Sequence, residues 1–107
     1  MLAAALAGAL VAQTAPESDA LKDARYRLGL TATRAVANFE AADSIEANLK
    51  AHGSTLNPQI VTLKLRIQAA LNDAHKALDK GELKQTNDAI KRADSMLDKF
   101  ADKIGGA

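Results

Sequence analysis

Two histidines, a short run of spaced carboxylates and three serines are the side chains in this sequence best able to do chemistry. His75 and Asp79 stand four residues apart, a spacing that puts an imidazole and a carboxylate on one helix face, where the pair can ligate a divalent metal. The same spacing arises on any charged helix face, and a solvated polar face is the reading adopted here. His52 directly precedes Gly53, the position from which an imidazole complements the exposed carbonyls at a helix C-terminus. If the second helix runs back beside the first, the two histidines lie about 25 Å apart along the bundle axis and cannot share a ligand.

Glu40, Asp43 and Glu46 could form an acid/base or di-metal cluster. Helical bundles build such sites from inward-facing glutamates on several helices, with Glu-x-x-His elements. None occurs in this chain, so these three are expected on a wetted acidic face. Ser44, Ser54 and Ser95 lack the Gly-x-Ser-x-Gly elbow of a nucleophile, and neither a glycine-rich phosphate loop nor a His-Glu-x-x-His motif is present. The sequence therefore predicts a non-enzymatic protein with no catalytic residue, no metal site and no cofactor. Met96 falls beside an apolar stripe, where filling the core is its expected role.

Composition narrows the classes further. The 107 residues suit one domain. Cysteine is absent, which removes disulfides, thiolate metal sites and thiol nucleophiles. Fourteen basic and thirteen acidic residues alternate along the chain for a net charge of +1. No strong overall field would then gather nucleic acid or an anionic membrane, which argues for a neutral partner or none. Only three residues are aromatic, and alanine supplies much of the apolar content, so a thin, aliphatic, helical core is expected.

The elements that must position these residues follow from punctuation and periodicity. Leu2–Ala12 is an uncharged apolar run that turns polar from Gln13 to Asp19, the pattern of a secretion signal, and residues 1–15 are assigned to it. The run falls short of the roughly 20 apolar residues of a membrane span, so no integral span is expected in the mature chain and its location is expected to be periplasmic or secreted. Gly53 reads as a helix stop, followed by an Asn57 cap with Pro58 at the first helical position. Gly81 closes a second helix and permits a short reversal. Helices are thus predicted at about 18–51, 58–80 and 82–103, forming an all-α antiparallel three-helix bundle over 16–104 with a frayed tail at 105–107.

The predicted core stripes are Leu21, Ala24, Leu28, Ala32, Ala35, Phe39, Ala42, Ile45 and Leu49, then Ile60, Leu63, Ile67, Ala70, Leu71, Ala74, Ala77 and Leu78, then Leu83, Ile90, Ala93, Leu97, Phe100 and Ile104. Asp88 and Arg92 are expected to form an i,i+4 ion pair. The first helix should exceed its partners by about a dozen residues, and the excess is placed at Asp19–Leu28. The sequence predicts that this stretch either bends at Gly29 or protrudes, in which case Leu21, Arg25, Tyr26 and Leu28 would offer a partner contact.

The run Asn72-Asp73-Ala74 through Leu78-Asp79-Lys80-Gly81-Glu82-Leu83 to Asp88-Ala89 resembles the last helical hairpin of small periplasmic haem bundles of the cytochrome b type, and also tetratricopeptide-style hairpins. The haem resemblance implies an axial Met near the start of the first helix and a His in the last. Neither is present. A tetratricopeptide array would repeat at about 34 residues, and no second copy occurs. The expected function is that of an exported helical bundle acting through protein contact, with an envelope protein or with itself. The alternative is a periplasmic carrier or sensor holding a small ligand or metal between its helices, with Thr31, Asn38, Thr86 and Asn87 as candidate polar contacts.

Overall fold

A computed structural model describes residues 18–105. The signal-like segment, 1–15, lies outside the described residues. Three helices account for nearly all of the rest, α1 (Asp19–Ala51), α2 (Pro58–Asp79) and α3 (Leu83–Gly105), and no strand occurs among the described residues. They pack as a helical bundle.

Each boundary has a local cause. Ser18 caps α1 by accepting the amide of Leu21 at 3.2 Å. The Asn57 side chain accepts from the amide of Gln59 at 2.9 Å, with Pro58 opening α2, where its missing N–H leaves no bond unmade. Gly53 and Gly81 take φ of 76° and 73°, the left-handed conformation that costs an L-side chain about 1–2 kcal/mol. Carbonyls left open at the end of α1 are met by Gly53 N donating to Lys50 O and Ser54 N donating to Leu49 O, and those of α2 by Gly81 N to Leu78 O and Glu82 N to Ala77 O.

Helix α1 runs through Gly29 without interruption, so the expected weak point does not break it. A Cβ at Gly29 would meet nothing within 4 Å. Gly29→Ala is therefore expected to stabilise the fold by about 0.5–1 kcal/mol, since the glycine retains its entropic cost without a geometric need. A urea titration followed by circular dichroism measures this, and an unchanged or lowered midpoint would mean that α1 needs the glycine.

Half of the buried apolar residues are alanines, among them Ala24, Ala74 and Ala93 with no exposed surface. Small side chains let the helix axes approach closely, and larger ones form two clusters. In the first, Ala35 and Ala42 of α1 meet Ile60, Leu63 and Ile67 of α2 and Leu97 and Phe100 of α3. In the second, Ala24 and Leu28 meet Ala74, Leu78, Ala89 and Ile90. Leu71 packs against both. Phe39 sets its ring edge-on to Phe100, centroids 5.5 Å apart, and Lys64 lies over Phe39 at 5.4 Å, so the few aromatics concentrate in the first cluster.

These clusters overturn the expected position of the long helix's excess. Ala24 and Leu28 are core residues, with Leu28 only 2% exposed, so Asp19–Leu28 neither protrudes nor hangs free. The unmatched stretch is at the other end. Ala42 shares a cluster with Ile60 near the start of α2, yet α1 continues to Ala51, about 13 Å further at 1.5 Å per residue. The six residues from His52 to Asn57 span that distance, because an extended chain covers up to about 3.3 Å per residue. A loop assumed to join helix ends at one level would have placed the excess at the N-terminus.

Candidate functional site

The side chains with chemical potential stay apart. His52 is the C-terminal cap residue of α1, its Nδ1 donating to Asn48 O at 2.8 Å, which is the capping role expected of it. His75 and Asp79 are exposed on α2. Asp43 lies 3.7 Å from Lys64, Glu46 lies 3.8 Å from Lys50, and Glu40 is exposed. Among the described residues no group of three His, Asp or Glu side chains could hold a metal ion.

The four residues expected to meet a partner divide in two. Leu28 is buried and Leu21 is half-buried against the second cluster, so neither is available as an exposed contact. Arg25 and Tyr26 are exposed, Tyr26 by 67%. One turn on from Tyr26 stands Leu30, 54% exposed, which lies outside the core spacing and so belongs to none of the predicted stripes. An i,i+4 search of the solvent side of α1 would have found the pair.

Leu30 forms one wall of a shallow recess between α1 and α3, completed by Thr31, Ile90 and Asp94 and rimmed by Arg34 and Lys91. The recess holds about 250 Å³. A polar ladder runs along its α1–α3 seam. Arg27 donates to Asn87 Oδ1 at 2.6 Å and to Asp23 Oδ2 at 3.0 Å; Thr31 donates to Asp94 Oδ1 at 3.0 Å; Arg34 pairs with Asp98 and lies 3.9 Å from Asp94. Partners rise together along the two helices, from 27 with 87 to 34 with 98, so the ladder specifies their register. Its ion pairs are well exposed, and each adds at most about 1 kcal/mol.

The interior polar groups are answered within the bundle. Thr86 has no exposed surface and donates to Glu82 O at 2.8 Å. Asn38 donates to Arg34 O at 3.1 Å, and Asn87 accepts from Arg27. No buried side-chain nitrogen or oxygen among the described residues lacks a partner. The expected pair of Asp88 with Arg92 does not form. Asp88 accepts instead from Lys84 at 3.1 Å, and Arg92 turns towards α2 and pairs with Asp73 at 3.4 Å. Arg92 is one residue before the core residue Ala93, on the flank facing α2, and that side of α3 decides its partner.

Compared with models of known protein families, with curated proteins and with solved structures, the chain matches none.

Proposed function

We propose that this chain is an exported, non-enzymatic antiparallel three-helix bundle that works by protein contact, with self-association across the outer side of α1 as its first mode. The antiparallel order is supported by Arg92 with Asp73 and Lys103 with Gln59, where rising numbers on α3 meet falling numbers on α2. Export to the periplasm or beyond is supported by the Leu2–Ala12 run and the polar turn that follows it.

One observation carries the contact reading. Tyr26, 67% exposed, stands one helical turn from the recess walled by Leu30, Thr31 and Ile90. An apolar anchor and a receiving hollow on the same surface are what a two-fold contact between identical chains requires, since each copy inserts what the other receives. Tyrosine suits the part, with a large apolar ring and a hydroxyl that can stay wet. Arg25 and Arg34 flank it with the charge typical of interface rims. The carrier alternative needs an interior polar group awaiting a ligand, and Thr31, Asn38, Thr86 and Asn87 already have partners.

The test is the melting temperature of the protein over about a hundredfold range of concentration, which shifts for an associating chain by mass action. The expected result is a rise with concentration that is lost in the Tyr26→Ser, Leu30→Ser double variant while helicity is kept. A flat melting temperature with a monomeric sedimentation mass would refute self-association.

A further inference from the structure

On the side of the bundle formed by α2 and α3, a group of cations has no carboxylate to answer it. Arg66 of α2 and Lys99 and Lys103 of α3 line a groove of about 490 Å³ floored by Thr62 and Leu63. Lys103 donates to Gln59 Oε1 at 2.7 Å, a neutral acceptor. Among the described residues none of the three lies within ion-pair distance of an acid. Of the acids next to them in α3, Asp98 is engaged by Arg34 on the α1 side, and Asp102 is exposed and makes no ion pair. From Pro58 to Asn72, α2 carries Lys64 and Arg66 and no acid, and Asp73, which shares a hollow with Arg66, is paired with Arg92.

On the outer side of α2, Val61 and Leu65 project, 42% and 61% exposed. They stand four residues apart, turned away from Ile60, Leu63 and Ile67 in the core. Lys64 lies on their other flank, 3.7 Å from Asp43. The apolar pair is therefore a ridge between the cationic groove on the α3 side and, on the α1 side, a hollow that Val61 shares with Lys64, Asp43 and Glu46.

We propose that this face of α2 and α3 docks on an anionic lipid surface, with Val61 and Leu65 entering the headgroup layer and Arg66, Lys99 and Lys103 meeting lipid phosphates. The cations of the groove, which form no ion pair among the described residues, favour an anionic occupant over an apolar helix. A ridge of aliphatic side chains flanked by Lys and Arg is the relief with which amphipathic helices lie in a membrane interface. This surface is separate from the outer side of α1, so either can fail without the other.

Co-sedimentation of the whole chain with phospholipid vesicles decides the matter. Binding is expected to vesicles of phosphatidylcholine mixed with phosphatidylglycerol, to weaken with added salt, and to be absent with phosphatidylcholine alone. Arg66→Gln with Lys99→Gln, both at exposed positions, should weaken it about twenty-five-fold, each cation near an anionic surface contributing about fivefold. Leu65→Ser should weaken it with its salt dependence unchanged. The Leu2–Ala12 run is uncharged and common to every variant, so differences between variants report the α2–α3 face. Equal binding to both vesicle types, no binding to the anionic ones, or indifference to the double substitution would overturn the proposal. So would saturation by inorganic phosphate or by polyglutamate without vesicle binding, which would reassign the groove to a free anion or an acidic protein.

Discussion

Replacing Phe100 with alanine is expected to cost the bundle about 3–5 kcal/mol, the usual range for emptying a fully buried aromatic site. Phe100 has no exposed surface and sits in the first cluster, where it meets the ring of Phe39 edge-on. The cavity would be hard to fill by relaxation, because Ala35 and Ala42 are the α1 residues buried in that cluster and neither can extend into it. An alanine-rich core of this size is expected near the low end of the about 5–15 kcal/mol typical of domains. The variant should thus be largely unfolded at room temperature, with a helical signal that is weak and falls without a sharp transition on heating. A cooperative melt only a few degrees below that of the parent would show that the two clusters hold the helices together independently of this ring.

Leu28→Ala is the second substitution with a large expected effect, about 2–4 kcal/mol by the same mechanism. Its neighbour Tyr26 supplies the control. Tyr26→Ala removes a larger side chain from an exposed position and should change the stability of the dilute monomer by no more than about 0.5 kcal/mol. Measured by urea denaturation at low concentration, the two variants separate a packed N-terminal half of α1 from a projecting one, in which both would be nearly neutral. The expected ordering follows from Leu28 lying among Ala74, Leu78 and Ile90 in the second cluster, which ties the start of α1 to both other helices.

Much of this core was legible from spacing alone. Ile60, Leu63, Ile67, Ala70, Ala74, Ala77 and Leu78 are all buried and were read as one stripe, because a residue every three or four positions on a helix of 3.6 residues per turn must share a face. The caps at Asn57 and the left-handed glycines at 53 and 81 were equally local, since proline geometry and positive φ are properties of single residues. Thr31 and Thr86, absent from the predicted apolar stripes, are buried as well. Each is accommodated by a bond that sequence spacing reveals only in part: Thr86 reaches the carbonyl four residues back, while Thr31 reaches Asp94 on another helix.

Of the four residues grouped at the start of α1, Arg25 and Tyr26 are exposed while Leu28 is buried and Leu21 half-buried, because the excess length of α1 lies at its other end. Helix lengths can be summed from a sequence, whereas the register between helices depends on how a connecting loop is folded. The His52–Asn57 segment climbs back along α1 instead of turning at its tip, and that shifts the free end from Asp19 to Ala51.

The sequence by itself determined that this protein is helical, where its helices start and stop, and which side of each is apolar, because those follow from side chains within a few residues of one another. Only the tertiary structure decided which end of α1 is covered, that Arg92 pairs with Asp73 rather than Asp88, and that Arg66 stands beside Lys99 and Lys103. Along the chain Arg66 is more than thirty residues from Lys99 and Lys103; in the bundle, Asp94 and Asp98 are turned to Arg34 on the α1 side, while Lys99 and Lys103 line a groove with Arg66 on the α2 side. Charge acts through space, so an even balance along the sequence does not forbid a strongly one-sided surface.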